Sequence, residues 1–218
     1  MQVDPRSGIS YESAGSDAPA ALLLLLHGVG GNESQLLSLA RQQDPRIRCV
    51  LPRAPLTFGP SSFGWFEVMF GPDGPTINFD QAEASRHHLI RLVESLQAET
   101  GIGPERTGIA GFSQGGIMSA GLGLTRPDLV TGFGLCSGRI LPEIASQLAA
   151  SKDLERLAGF VSHGLRDTKL PVFWADRADA WLKDLGVPTT SRRYPAGHEW
   201  TAEMARDFRA WLDKVLWP

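Results

Sequence analysis

Gly111-Phe112-Ser113-Gln114-Gly115-Gly116 constrains this 218-residue chain more than any other stretch. Glycines two before and two after a serine describe a strand-to-helix turn too tight for larger residues. Such a turn lifts the Ser113 hydroxyl above the sheet edge and sets the backbone N–H of Gln114 beside it. With 24 glycines in the chain, chance supplies this spacing about 0.2 times, so the flanking residues must decide. Upstream, Thr107-Gly108-Ile109-Ala110 is a short, small-to-apolar run that suits a buried parallel strand. Downstream, Gly116 to Leu124 is small and apolar on all sides, as a helix packed under a sheet would be, and Pro127 stops it. Glycine inside a helix costs about 1 kcal/mol relative to alanine, a cost that close packing against the strands explains. Strand, turn and buried helix follow in the order a nucleophile elbow requires.

The rest of the chain alternates in the same way. Strands are expected at Ile9 to Ser13 (a short edge), Ala20 to Leu26, Arg48 to Leu51, Thr107 to Phe112, Gly132 to Cys136, Gly159 to Ser162 and Thr189 to Tyr194. Helices are expected from a cap at Asn32 or Ser34 through Ala40, and over Asp80 to Ala98, where Leu89, Leu92, Val93 and Leu96 make one face. Two more are expected at Val172 to Leu185 and Thr201 to Trp217. Ala54 to Asn78 reads as irregular and rich in glycine, proline and aromatic residues. The alternation implies a mostly parallel sheet covered by helices on both faces, an α/β fold. Neither a repeat nor a linker divides residues 1–218, so one domain is expected, with no room for a large cap.

Composition excludes several classes. A net charge of −3 leaves no electrostatic footprint for nucleic acid. Cys49 and Cys136 sit in apolar surroundings and read as reduced core residues of a cytoplasmic protein. The run Ala20 to Leu26 is too short to span a membrane and follows Asp17 and Pro19 rather than a basic segment, so neither a signal peptide nor stable membrane insertion is expected.

A serine nucleophile needs a base to take its proton and an acid to orient that base. His87 and His88 lie inside the long helix, whereas His27, His163 and His198 follow strands, where functional groups of an open α/β sheet gather. Only His198 also comes after every candidate acid, as the order Ser, Asp, His demands. Asp167, in His163-Gly164-Leu165-Arg166-Asp167, leaves the penultimate strand at that same end. Alone it would read as a turn or capping aspartate; with Ser113 and His198 in order it reads as the acid. An oxyanion hole combines the N–H after the nucleophile with one from the loop after an early central strand. His27-Gly28-Val29-Gly30-Gly31 supplies that loop, which makes Val29 and Gln114 the expected donors. The loop lacks the third glycine or the lysine of a phosphate-binding loop. Gly134-Leu135-Cys136-Ser137-Gly138 repeats the elbow spacing around a cysteine, but no tight apolar helix follows it, so Cys136 is expected in the core.

Together, Leu26 to Asn32, Gly111 to Gly116, His163 to Asp167 and Gly197-His198 resemble the phospholipase/carboxylesterase family. These are small serine hydrolases of the α/β-hydrolase fold that include acyl-protein thioesterases and bacterial carboxylesterases. The resemblance implies Ser113 as nucleophile, Asp167 as acid, His198 as base and the Val29 and Gln114 amides as oxyanion hole. It implies no metal or organic cofactor, a small-molecule ester substrate, and is compatible with a homodimer. Gly31-Asn32 departs from the Gly-Asp usual in the eukaryotic thioesterases and favours the bacterial esterase side.

Ser61 to Glu67 is similar to the tryptophan-phenylalanine element that borders the family's substrate site, which singles out Trp65 and Phe66 as substrate-binding residues. Phe58, Phe63, Phe70 and Phe79 lie in the same stretch; the aromatic residues either wall an acyl site or anchor a long loop. The expected activity is a carboxylesterase on small to medium esters. An acyl thioesterase or lysophospholipase would use the same triad, and a non-catalytic binding module could use the same fold.

Overall fold

The computed structural model describes residues 1–71 and 74–217. Eight strands form one sheet: β1 (Gln2–Val3), β2 (Ser10–Gly15), β3 (Ala21–Leu26), β4 (Ile47–Pro52), β5 (Thr107–Phe112), β6 (Gly132–Cys136), β7 (Ala158–Gly164) and β8 (Thr189–Tyr194). Their order is β1-β2-β4-β3-β5-β6-β7-β8, antiparallel for the first two pairings and parallel from β4 to β8. Parallel strands need crossovers. Helices α1 (Phe79–Thr100), α2 (Gln114–Thr125) and α3 (Phe173–Asp184) make those from β4 to β5, β5 to β6 and β7 to β8; shorter segments make the other two, and α4 (Ala202–Leu216) closes the chain.

The strand period of two sorts β3 between two cores. Leu22, Leu24 and Leu26 join one apolar cluster with Leu89, Val93 and Ile117, while Ala21, Leu23 and Leu25 join the other with Phe160, Phe208 and Leu212. That is why Ala20 to Leu26 shows no apolar-polar alternation: both faces are covered. In α4 the buried positions Met204, Ala205, Phe208, Trp211, Leu212 and Leu216 recur at helical spacing. Full burial of Phe208, Leu212 and Leu216 contributes about 1.5–3 kcal/mol each. Thr201 caps this helix by accepting from the Met204 N–H at 3.2 Å, and Asn78 caps α1 by accepting from Gln81.

Two regions depart from the sequence reading. The stretch after β4 is not irregular; it holds two antiparallel hairpins, Leu56–Gly59 with Ser62–Gly64 and Val68–Gly71 with Gly74–Ile77. Short polar-aromatic strands of this kind carry no strong alternation, and each pairs with its own hairpin partner, the first hairpin being bridged also to Gly31 through Phe63. Nor does a helix run from Asn32 to Ala40. Asn32 spends its side chain on the N–H and hydroxyl of Ser34, an Asx turn, and only Leu37–Ala40 forms a helical turn. Between β6 and β7 lie only a 3₁₀ segment, Pro142–Gln147, and one helical turn, Ser151–Leu154.

Candidate active site

Ser113 sits between β5 and α2 with φ 56 and ψ −118, a left-handed backbone unusual for a residue with a side chain. Such a conformation costs about 1–3 kcal/mol and persists only where the surroundings impose it. They do so here: the Ser113 N–H donates to the Cys136 carbonyl at 2.8 Å, and its own carbonyl accepts from Ile117 at 3.0 Å. A Cβ on Gly115 would stand 2.0 Å from the Leu26 carbonyl oxygen, and one on Gly111 would stand 2.3 Å from the Gly115 carbonyl carbon. The two flanking glycines are thus required by backbone-to-backbone contact between the elbow, its own strand and β3.

The His198 ring bridges the other two predicted groups. Its Nε2 is 3.0 Å from Ser113 Oγ and its Nδ1 is 2.6 Å from Asp167 Oδ2. With Nδ1–H donating to the carboxylate, Nε2 is left to accept from the hydroxyl. The other carboxylate oxygen, Oδ1, accepts the N–H groups of Lys169 at 2.9 Å and Leu170 at 2.8 Å. Phe112 packs against the imidazole with ring centres 4.9 Å apart.

The remaining histidines at strand ends are braces. His163 is fully buried, its Nε2–H donating to the Leu170 carbonyl at 2.7 Å beside Asp167. Burial holds it below the ordinary histidine range. His27 is also held down by burial; its Nδ1–H donates to Gly28 O at 2.8 Å and its Nε2 accepts from Ala54 N–H at 3.0 Å, which requires the neutral ring. His87 is exposed beside Glu83, and the half-buried His88 bonds the Ser7 carbonyl; neither lines the cavity of Ser113.

The loop after β3 is tied down around Val29. Gly28 N–H donates to Gln35 Oε1 at 2.8 Å, Gly30 N–H to Phe63 O at 2.8 Å, and Gly31 N–H to Gly28 O at 3.1 Å. Among the described residues neither the Val29 nor the Gln114 N–H has an acceptor, and both residues line the cavity that holds Ser113 and His198. The Gln114 side chain points away from that cavity: Oε1 accepts from Trp65 N–H at 3.0 Å and Nε2–H donates to Phe66 O at 2.7 Å.

Trp65 departs from its expected place. It is 0% exposed and does not line the cavity; its indole N–H donates to the His27 carbonyl at 2.9 Å and its carbonyl accepts from Ser85. A large ring with one polar edge was needed under the loop, and the interior took it. Phe66 does line the cavity, with Val68 and Ile77 of the second hairpin. Phe63 stacks under Arg53, and Phe58 is 44% exposed; the Phe70 side chain lies outside the described residues. The cavity is about 280 Å³ and takes in Phe112, Ile117, Leu170, Lys169 and Arg139, none of which the sequence reading singled out. Arg139 was legible in principle, because it follows β6, whose end residue Cys136 pairs with Phe112 beside the elbow. Cys136 itself is a buried free thiol pushed up to about 12 by burial. Among the described residues no group of three or more His, Cys, Asp or Glu could hold a metal ion, and no helix is long and apolar enough to cross a membrane.

A mostly parallel sheet with a serine on a strained turn after its fifth strand, and no large cap, is the α/β-hydrolase fold. The chain belongs to the phospholipase/carboxylesterase family, whose model matches residues 11–216. Acyl-protein thioesterase 1 of Gibberella zeae is 28% identical over 216 residues, covering 91% of this chain and 92% of that protein. A probable carboxylesterase of Arabidopsis thaliana, SOBER1-like, is 28% identical over 229 residues, covering 97% and 86%. The crystal structure of esterase PE8 superposes with a TM-score of 0.85 at 26% identity, covering 95% of this chain and 99% of that one. The protein is a carboxylic ester hydrolase of this family.

Proposed function

We propose that the chain cleaves small to medium carboxylic esters through an acyl-enzyme formed on Ser113, in a single domain spanning residues 1–218. The observation that carries this reading is the His198 ring, 3.0 Å from the Ser113 hydroxyl and 2.6 Å from the Asp167 carboxylate. His198 takes the hydroxyl proton as Ser113 attacks the ester carbonyl, and Asp167 holds the tautomer and stabilises the imidazolium that forms. The Val29 and Gln114 N–H groups receive the tetrahedral oxyanion; loss of one such donor costs about 10²–10³ in rate. The imidazolium then protonates the leaving alkoxide, and water repeats the sequence on the acyl-enzyme. Phe66, Val68 and Ile77 wall the acyl group, and Trp65 acts as a positioning residue beneath the oxyanion loop.

Ser113→Ala tests the assignment. The variant is expected to fold with an unchanged melting temperature while losing both fluorophosphonate labelling and ester turnover. Retained labelling at another residue would overturn it. A thioesterase reading is favoured by the name of the Gibberella zeae relative, and matched acyl esters and thioesters of graded chain length separate the two. A binding module would need none of the hydrogen bonds on His198. The two buried free thiols suit a reducing compartment, the cytoplasm. A homodimer is carried by the family resemblance, and sedimentation at working concentration tests it.

A further inference from the structure

Arg139 is 8% exposed, yet among the described residues its guanidinium has no hydrogen-bond or ion-pair partner. Arg86, buried to the same degree at 6%, shows the usual solution: it is bonded to Glu83, Thr125 and Gln147. A buried guanidinium keeps its charge and is costly without a counter-ion. Glu143 and Arg177 act on Arg139 only through longer-range Coulomb interaction. Among the described residues the contact that orients it is the face of Trp174, in an adjoining cavity, 4.8 Å from the guanidinium carbon.

Arg139 lines the cavity that holds Ser113 and His198 and also the adjoining one walled by Trp174, Arg177 and Asp184, so it stands between the two. The chain reaches that point by a strained turn: Ser137, just past β6, has φ 48. A Cβ on Gly138 would stand 3.1 Å from the Ser113 carbonyl oxygen, so the residue preceding Arg139 abuts the elbow. Among the described residues no Asp or Glu lines the Ser113 cavity, whereas Asp184 lines the adjoining one without an ion pair to Arg139. The exposed Lys169 adds a second cation at the edge of the Ser113 cavity. The Asp167 carboxylate is already taken by His198 and two backbone N–H groups.

We propose that Arg139 is an anion subsite, and that the preferred esters carry a carboxylate or phosphate group a short chain away from the scissile carbonyl. This rests on Ser113 being the nucleophile and adds the substrate class. The planar fork of a guanidinium matches either oxyanion in a two-point contact. The anion supplies the counter-ion that the fold withholds, and Lys169 assists its entry.

The test compares monoethyl succinate, glutarate and adipate with the corresponding diethyl esters, and butyryl glycerol phosphate with butyryl glycerol. Wild type, Arg139→Gln and Arg139→Lys are assayed. The readout is the ratio of kcat/KM for each anionic ester to that of its neutral partner, which cancels any general loss of activity. A ratio of about 10–100 is expected in wild type, falling toward one in Arg139→Gln and partly kept in Arg139→Lys. A preference confined to the phosphate pair supports the subsite and makes phosphate its anion. A wild-type ratio at or below one, or a preference unchanged in Arg139→Gln, overturns the proposal. Should the variants not fold, competition in wild type decides. Glutarate or inorganic phosphate must inhibit butyryl glycerol turnover competitively, beyond a sodium chloride control of equal ionic strength, and no inhibition overturns it. Absence of turnover on every ester, neutral and anionic, falls instead on the Ser113 reading.

Discussion

Replacing Gln114 with alanine isolates the work of its side chain from that of its backbone. The residue is 4% exposed, and its amide joins the elbow to the chain at Trp65 and Phe66, which are themselves 0% and 1% exposed. Truncation deprives a buried N–H, on Trp65, and a buried carbonyl, on Phe66, of partners at 3.0 and 2.7 Å. Each orphaned group costs about 1–3 kcal/mol. The space vacated by the side chain admits water to one of them, so the sum is set at about 2–4 kcal/mol. In a chain of this size 1 kcal/mol moves the melting temperature by about 2–4 °C, which places the expected fall at roughly 5–15 °C. Gln114→Glu keeps the acceptor for Trp65 but turns a second oxygen on the Phe66 carbonyl, so it should not rescue stability. The assay is thermal melting of wild type and both variants, with amide exchange followed at Trp65. The Gln114 N–H survives the truncation, so fluorophosphonate should still label Ser113, more slowly. An alanine variant that melts within about 2 °C of wild type would refute the reasoning.

Gly115→Ala places a methyl 2.0 Å from the Leu26 carbonyl oxygen, so elbow and β3 must part by about 1 Å. We expect a loss of about 1–3 kcal/mol in denaturant titration and about 10²-fold in kcat/KM; wild-type values for both would sink the packing argument. Gly121→Ala should act in the opposite sense, because its added methyl meets nothing nearer than Arg86 at 3.8 Å. A gain of about 0.5–1 kcal/mol is expected, and a destabilised variant contradicts it. Burial holds both His27 and His163 below 6.5 in the folded chain. As pH falls below 6.5 the unfolded chain therefore takes up protons first, so stability is complete above that value and declines toward the folded pKa. His27→Gln should flatten the decline between pH 7 and 5, and identical slopes for the two proteins would count against it.

The parts of the fold that were legible are those in which a single segment carries its own signal. Thr107 to Phe112 and Thr189 to Tyr194 are strands with the expected bounds, and the face of Leu89, Leu92, Val93 and Leu96 is buried as its spacing requires. The hairpins between Leu56 and Ile77 were not legible, because their short strands are fixed by pairing with each other, and for Phe63 with Gly31, rather than by an apolar pattern of their own. Trp65 was misplaced for a related reason. An aromatic residue in a glycine-rich loop fits a wall or a foundation equally well, and the carbonyl of His27 and hydroxyl of Ser85 decide between them.

By itself the sequence determined the spacing that only glycine can satisfy around Ser113, the chain order of Ser113, Asp167 and His198, and the alternation that makes a parallel sheet. These are local or ordinal properties, and the chain carries them unfolded. Tertiary structure alone decided that three residues up to 85 positions apart meet across two hydrogen bonds. It also decided that His27 and His163 are neutral braces, and that Arg139, lining the Ser113 cavity and its neighbour, has no ion-pair partner among the described residues. Distance, burial and the absence of a counter-ion are relations between segments, and they exist only once the strands have paired.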